Sequence, residues 1–287
     1  MYENIVVAYD GSEFSRAALR EASYWIMKHG GKVELVHSVF FDEEEFVSAP
    51  DQRERRFELG KKMCYQTRED ISTEFGLNGN LEALICEGEP HEVIVDVATA
   101  KNADLIAMGT HGRKGLKKLF MGSVTSRVIV SSLCDVLIVK KPFMDCSGRY
   151  GSLLVSFDGS EFSKKALERA CELSKIDGSE ITAVYVIPRY EEMIEFFTSS
   201  LIKENLYHDA EKIMEKARSI ATEKGLKMNT EIADGDEADK IIETANRLKS
   251  DLIIRGTHGW SGINRAIIGS VAERVIINAP CPILVVK

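Results

Sequence analysis

The chain has 287 residues, of which 44% are hydrophobic and 29% are charged. This length suggests two domains, each large enough to bury its own core, and the apolar fraction excludes general disorder. The 45 acidic side chains exceed the 37 basic ones, and the resulting net charge of −8 argues against a nucleic-acid partner. We find no signal peptide and no run of about 18 apolar residues, which predicts a soluble, cytoplasmic protein with no membrane partner.

The six cysteines show no pattern of a metal site or a disulfide framework. None forms a CxxC pair, and none has a histidine at the spacing of a zinc site. His91-Glu92 is followed by Val-Ile-Val and so fails the HExxH motif. We therefore interpret the cysteines as small buried hydrophobic residues and predict no metal site made of protein ligands alone. They are Cys64, Cys86, Cys134, Cys146, Cys171 and Cys281.

An internal repeat organises the chain. The segment Asp10–Ser15 recurs as Asp158–Ser163, an offset of 148 residues. Two further segments recur at an offset of 147, 104–112 as 251–259 and 122–129 as 269–276. Long repeats of this kind predict a duplicated domain, with one copy at 1–142, the second at 150–287 and a turn-rich linker between them.

The elements of the first half alternate between strands and helices. Ile5–Tyr9 is an apolar run of buried-strand length, and Ser12 is placed to cap a helix that Gly30-Gly31 ends. The pattern then predicts a strand at 33–39, a helix near 51–75, a strand at 81–86, a helix at 90–100, a strand at 104–108, a helix from 122 and a strand at 136–139.

The second half repeats this order, with strands predicted at 153–157, 180–187, 228–233, 252–255 and 283–286. Two stretches without a clear pattern, 42–56 and 188–203, are predicted as loops over one edge. Alternation of short apolar strands with helices predicts an α/β fold, in which each half is a doubly wound, five-stranded parallel sheet covered by helices on both faces.

A glycine loop between the fourth strand and its helix is the most informative element. It reads Gly109-Thr-His-Gly112, nine residues, then Gly122-Ser123, and the second half repeats it from Gly256 to Ser270. Glycine lets a ligand approach the backbone, and a helix start presents N–H groups to an anion. The loop is therefore predicted to bind phosphate, and a glycine-rich turn that merely joins strand to helix is the alternative.

The glycine loop, the Asp-Gly-Ser after the first strand and the duplication together resemble the universal stress protein (UspA-like) family, over essentially all 287 residues. The spacing G-x2-G-x9-G-(S/T) is similar to that family's ATP-binding signature. The resemblance implies a Rossmann-like (adenine nucleotide alpha hydrolase-like) sheet with strand order 3-2-1-4-5. It also implies ATP, or else AMP or ADP, over strands one and four, with Mg²⁺ held through the phosphates.

The resemblance also implies which residues bind the nucleotide. The aspartates would hydrogen-bond the adenosine part, the residues late in the second strand would lie beside the base, and the loops would wrap ribose and phosphates. Two alternatives stay open: Asp10 could simply close the turn before the first helix, and His111 and His258 could face solvent. The candidates are Asp10, Ser38, Met108, Gly109, His111, Gly112, Gly122, Ser123, Val124 and Thr125 in the first half, and Asp158, Val186, Arg255, Gly256, His258, Gly259, Gly269, Ser270, Val271 and Ala272 in the second.

Three candidates depart from the family's pattern. Ser38 carries a hydroxyl where an apolar residue usually contacts the base, and Ala272 lacks the hydroxyl of Thr125. Arg255 replaces Met108 and could either reach a phosphate or crowd the pocket. The first loop is also richer in basic residues, so we expect the first site to prefer ATP and the second to bind more weakly or to favour AMP.

The sequence favours nucleotide binding over catalysis. It contains no GxxxxGK[ST] motif and no kinase signature, and Ser12 and Ser160 are better interpreted as helix caps than as nucleophiles. We expect a stress-response sensor or regulator controlled by bound nucleotide. The alternatives are a slow nucleotide hydrolase or nucleotidyl-transfer enzyme of the same fold, and an interaction scaffold with vestigial sites.

The last strand of each half bears on assembly. Val136–Val139 and Ile283–Val286 are apolar and would each lie at an edge of their own sheet, where they invite pairing with another strand. In the resembling family, single-domain members dimerise through this strand. We therefore expect the two halves to form an intramolecular pseudo-dimer, and a homodimer of tandem chains stays open.

Overall fold

The structure is a computed structural model and describes residues 2–41, 50–110, 121–140, 148–188, 200–257 and 268–287. The chain divides into two compact units, residues 1–149 and 150–287. Within the described ranges, no helix is both long enough and apolar enough to cross a membrane.

Strands and helices alternate in both units, as the sequence predicts. The first unit consists of β1 (Asn4–Ala8), α1 (Glu13–His29), β2 (Lys32–Val39), α2 (Pro50–Phe75), β3 (Leu81–Glu87), α3 (Pro90–Ala100), β4 (Leu105–Gly109), α4 (Ser123–Ser131) and β5 (Asp135–Val139). The second consists of β6 (Ser152–Ser156), α5 (Glu161–Asp177), β7 (Glu180–Pro188), α6 (Ser200–Glu223), β8 (Asn229–Gly235), α7 (Glu237–Leu248), β9 (Leu252–Gly256), α8 (Ser270–Asn278) and β10 (Ile283–Val286).

The two predicted loops overlap helices. Because α2 begins at Pro50 and α6 at Ser200, the loop prediction is wrong for residues 50–56 and 200–203. The side chains of 52–56 are exposed and polar, so this start of α2 carries no apolar periodicity by which it could be recognised. Residues 42–49 and 189–199 lie outside the described ranges.

Each unit contains one parallel sheet with the predicted strand order. In the first unit β1 pairs with β2 and β4, β2 pairs with β3, and β4 pairs with β5, which gives β3-β2-β1-β4-β5. The second unit has the equivalent order β8-β7-β6-β9-β10. The direction of winding reverses between β1 and β4, and between β6 and β9. Such a reversal leaves a crevice at the carboxyl ends of the two strands.

Helices cover both faces of each sheet. In the first unit α1 and α2 pack on one face, while α3 and α4 contact each other on the opposite face, and the second unit repeats this with α5 and α6 against α7 and α8. The inner strands β1, β4, β6 and β9, together with β5 and β10, are largely buried and read as continuous apolar runs, whereas β3 and β8 are mostly half-buried.

The helices that follow the first strand of each unit are capped by serine. The Ser12 Oγ accepts a hydrogen bond from the Ser15 N–H at 3.3 Å, and the Ser160 Oγ accepts one from the Ser163 N–H at 3.2 Å. Both serines have extended backbones, as an N-cap requires. The structure therefore confirms their interpretation as helix caps.

Three cysteines, Cys64, Cys171 and Cys281, are buried, as expected for small hydrophobic residues. Cys86 and Cys134 are half-buried. Burial raises the pKa of the Cys171 thiol to about 11, which keeps it protonated at neutral pH.

Candidate functional site

The candidate residues of each unit come together at the carboxyl ends of three neighbouring strands. In the first unit Asp10 follows β1, Ser38 lies near the end of β2 and Gly109 ends β4. The parallel register places these strand ends at one edge of the sheet. In the second unit the same positions belong to Asp158, Val186 and Gly256, so each unit presents a crevice lined by equivalent residues.

The two aspartates close the turn between the first strand and its helix. One carboxylate oxygen of Asp10 accepts from the Ser12 N–H at 3.0 Å, and one of Asp158 accepts from the Ser160 N–H at 2.9 Å. The intervening glycine, Gly11, has φ +82°, a conformation that other residues rarely adopt. The structure therefore supports the turn-closing alternative for one oxygen of each carboxylate, and the contact with a ligand stays a prediction.

The hydroxyl of Ser38, which the sequence placed beside the base, is used in a hydrogen bond between β2 and the residue after β3. The Ser38 Oγ donates to the carbonyl oxygen of Gly88, just beyond the end of β3. Because that hydrogen bond satisfies the hydroxyl, the serine costs little in a half-buried position. Its counterpart Val186 is buried and apolar, with 7% of its surface exposed.

The glycines that end β4 and β9 are required by helix packing. A Cβ on Gly109 would lie 2.5 Å from the Cβ of Phe14 in α1, and one on Gly256 would lie 2.6 Å from the Cβ of Phe162 in α5. Real Cβ atoms do not approach so closely. Helix packing alone is therefore sufficient to require glycine at both positions, and the approach of a ligand to them stays a prediction.

The glycines that open the next helices have a different environment. Gly122 and Gly269 are the N-caps of α4 and α8, with φ −61° in both, and glycine has no side chain to accept from the first-turn N–H groups. A Cβ on Gly269 would contact no described atom within 4 Å. Ser123, Val124 and Thr125, and likewise Ser270, Val271 and Ala272, form first turns whose cap leaves room for an external acceptor.

Two residues that differ between the units supply the hydrogen bond to the same backbone carbonyl. In the first unit the carbonyl oxygen of Gly109 accepts from the Thr125 Oγ1 at 3.1 Å. In the second, Thr125 corresponds to Ala272, and the equivalent carbonyl of Gly256 accepts from the Arg255 Nε at 3.2 Å. Two of the departures seen in the sequence thus compensate each other, since the arginine supplies the donor that the alanine lacks.

Arg255 is also the centre of a charge cluster. Its side chain is 6% exposed, and burial lowers its pKa, while the carboxylates of Glu237 and Asp158 act to raise it. Burial raises the pKa of Glu237, opposed by Arg255. In the first unit the position of Arg255 is held by Met108, which is buried and apolar.

Glu237 was not predicted as a site residue. It is the first residue of α7, at the place that Pro90 holds in α3 of the first unit. Alignment of the two halves shows that glutamate replaces proline at this position. This difference between the repeats is the feature of the sequence by which Glu237 could have been found.

Some candidates lie outside the described ranges. They are His111, Gly112, His258 and Gly259, together with the basic residues Arg113, Lys114, Lys117 and Lys118. The roles expected for them, and the expected difference in ATP preference, stay predictions. Within the ranges that the structure describes, no cluster of three or more His, Cys, Asp or Glu side chains is arranged to hold a metal ion.

The fold and the paired crevices define a tandem protein made of two doubly wound α/β domains. The sequence model of the universal stress protein family matches residues 1–140 and again 149–287. The chain therefore belongs to the universal stress protein family, as a tandem two-domain member, and the family resemblance seen in the sequence is confirmed.

Individual relatives agree with this assignment. A universal stress protein of Methanocaldococcus jannaschii is 38% identical over 140 residues, which make up 48% of this chain and 82% of that protein. One from Thermus aquaticus is 33% identical over 144 residues, 49% of this chain and 100% of its own. The crystal structure of a universal stress protein from Archaeoglobus fulgidus covers 99% of this chain and 96% of its own with a TM-score of 0.72, and at 20% identity it shows likeness of fold alone.

Proposed function

We propose that each unit binds an adenine nucleotide, ATP in the first place, and that the protein acts as a nucleotide-controlled sensor or regulator in the stress response. The observation that carries the proposal is the pairing, in both units, of a strand-end aspartate with a glycine-capped helix start across the crevice. Crevices at this point of doubly wound sheets are the common sites of nucleotides.

The two sides of the crevice suit the two ends of a nucleotide. The first turns of α4 and α8 offer backbone N–H groups and the positive end of the helix dipole to phosphates. Asp10 and Asp158 offer acceptors at the neighbouring strand end, where the hydroxyl groups of a ribose would find partners. Mg²⁺ fits this arrangement as an ion held through the phosphates, since it commonly keeps its waters and few protein ligands.

Binding without rapid turnover is the function we favour. The Ser12 Oγ accepts the cap hydrogen bond and also lies 3.3 Å from the Ser15 Oγ, so this hydroxyl is held by the helix that it caps. The Ser160 Oγ is used in the same way in the second unit. These hydroxyls are positioned for structure rather than for attack on a phosphate.

The substitution that tests the site is Gly269→Val. Its side chain would lie within 4 Å of no described atom, at a backbone conformation that valine adopts without strain, so we expect the fold to remain intact. We expect calorimetry of the full chain with Mg-ATP to show nucleotide affinity at the second unit reduced about tenfold or more, a loss of about 1.4 kcal/mol. Gly256→Val is unsuitable as a test, because it would collide with Phe162 whether or not a ligand binds.

Two further measurements bear on the proposal. Mass spectrometry of ligand released from freshly purified wild-type protein should identify an adenine nucleotide. Unchanged affinity in a folded Gly269→Val variant would place the phosphates elsewhere. Steady release of ADP or AMP that decreases in Gly269→Val and disappears in the double variant Gly122→Val/Gly269→Val would favour the alternative of a slow hydrolase.

A further inference from the structure

We propose that Arg255 is a specificity-determining residue of the second unit, whose buried Nη1 donates a hydrogen bond to the sugar or base of the bound nucleotide. Met108 cannot make this contact in the first unit. The inference rests on the proposed function, and it distinguishes two sites that the repeat would otherwise leave equivalent.

The first step is the state of the guanidinium. Although Arg255 is 6% exposed, its Nη1 has no hydrogen-bond partner among the residues that the structure describes. A buried donor without an acceptor is unfavourable, and the cost is greater for a charged group. A ligand that supplies an acceptor at this point therefore removes a penalty that the empty protein carries.

The second step is the position of that nitrogen. The Arg255 Nε is anchored on the carbonyl oxygen of Gly256, the last residue of β9. In the first unit this carbonyl accepts from Thr125 in the first turn of α4, whereas Ala272, the matching residue of α8, has no side-chain donor. The Arg255 Nε thus contacts the carbonyl at the carboxyl end of β9 as the Thr125 hydroxyl does at the end of β4, which is the strand end where the crevice is proposed.

The third step is the chemistry of the acceptor. The carboxylates of Glu237 and Asp158 act electrostatically on the Arg255 guanidinium and raise its pKa, against the larger effect of burial. A phosphate placed against this guanidinium would therefore also be repelled by both carboxylates. What remains to be satisfied is a hydrogen bond rather than a charge.

An uncharged hydrogen-bond acceptor would satisfy the Nη1 of Arg255 without adding a further negative charge. Sugar hydroxyls and the ring nitrogens or carbonyl groups of a base are acceptors of this kind, and Asp158 is the residue that we propose to hold the nucleoside. The second unit should accordingly recognise the nucleoside part of its ligand through both a carboxylate and a guanidinium. The first unit, with Met108 in this place, offers an apolar surface instead.

The test compares affinities in the full chain. An Asp10→Ala/Gly122→Val background removes both the nucleoside and the phosphate contacts proposed for the first unit, and adenosine, AMP and Mg-ATP are titrated by calorimetry with and without Arg255→Met. We expect the substitution to weaken all three ligands at the second unit by the same factor, about 10- to 100-fold, as for a lost hydrogen bond to a charged group. The equal factor is expected because the contact is with the part that the three ligands share.

Two controls separate this role from a structural one. Arg255→Met leaves Glu237 without its cation, so the double variant Arg255→Met/Glu237→Gln removes that charge, and the loss of affinity should persist. In a Gly269→Val background, which silences the second unit, Arg255→Met should leave binding at the first unit unchanged. Circular dichroism and thermal denaturation establish that each variant is folded.

Each other outcome overturns the proposal. A loss that increases from adenosine to ATP would assign Arg255 to the phosphates, and unchanged or tighter binding would mean that it contacts no ligand. If the wild-type chain binds none of the three ligands, the proposed function fails along with this inference. If the wild type binds them and Arg255→Met has no effect, the inference alone fails.

Discussion

Gly256 and Gly269 belong to the same glycine motif but are glycines for different physical reasons. The first is in contact with α5 through Phe162, while a Cβ on the second would lie within 4 Å of none of the atoms that the structure describes. We expect Gly256→Ala to lower the free energy of unfolding by about 1–3 kcal/mol, as overpacking does. Gly269→Ala, the matched control, should change it by less than about 0.5 kcal/mol. Urea denaturation measures both, and equal effects would contradict the contact with Phe162.

Cys171 provides a second prediction at the level of single residues. Burial raises its thiol pKa to about 11, so the reactive thiolate is scarce at neutral pH. We expect iodoacetamide at pH 8 to leave Cys171 unmodified in the native protein and to alkylate it after unfolding in urea, as read by peptide mass mapping. Rapid alkylation of the folded chain would show that the site opens readily.

The roles of site residues could be predicted from the sequence where a residue type at that position has only one physical explanation. Ser12 and Ser160 were identified as caps because serine before a helix offers the required acceptor. The reason for Gly109 and Gly256 could not be read in this way, since ligand approach and helix packing both demand the absence of a Cβ. Glu237 could not be predicted as a site residue from its own position, because its place in the charge cluster depends on its electrostatic interaction with Arg255, which lies in another element.

Among the helices, the start of α7 gives a pH-dependent prediction. Burial raises the pKa of Asp236, but hydrogen bonds from the backbone N–H of Asp239 and from Arg274 outweigh it, and the net pKa is lowered. A carboxyl with a lowered pKa stabilises the fold above its unfolded value of about 3.9, and that contribution is lost as the pH falls through the folded value.

Asp236→Asn isolates this charge, because asparagine is an equally good N-cap. We expect the variant to be less stable than wild type at pH 7 and the difference to shrink as the pH falls below about 3.9, in urea midpoints measured at pH 7 and at pH 3. A difference that is the same at both pH values would mean that the ion pair with Arg274 contributes nothing.

Elements were predicted well where burial leaves a pattern. Most strands are buried and flanked by glycine or polar turns, so their apolar runs mark them within one or two residues, while β3 and β8 are mostly half-buried. The start of α2 is not recognised from the sequence because its exposed, polar residues 52–56 resemble a loop in composition, and the start of α6 at Ser200 likewise lies in a stretch without a clear pattern. Strand order was obtained from the family resemblance rather than from periodicity, which says nothing about which strands are neighbours.

At the scale of the molecule, each half of this chain corresponds in length to a complete single-domain relative. The relative from Thermus aquaticus is matched over 100% of its length by 49% of this chain. We therefore expect residues 1–149 expressed alone to fold, with cooperative thermal denaturation and helical circular dichroism. A fragment that stays unfolded would show that the first unit depends on the second.

The same fragment tests the assembly predicted from the sequence. Within the first unit β5 pairs only with β4 among the described strands of that unit, and its residues are apolar and buried. We expect the fragment to self-associate through Val136–Val139, and Leu137→Lys to leave it monomeric in analytical ultracentrifugation. A fragment that is monomeric at high concentration without the substitution would exclude this strand as the interface.

The exchange of donors at one carbonyl constrains how two copies of a gene can diverge. The carbonyl oxygen of Gly109 accepts a hydrogen bond from Thr125 and that of Gly256 accepts one from Arg255, so loss of either donor removes a side-chain hydrogen bond from that carbonyl. We therefore expect a threonine-to-alanine change to be better tolerated where the arginine is present. Such dependence of one substitution on another is epistasis within a repeat, and it makes reversal of the arginine alone unfavourable while alanine holds the other position.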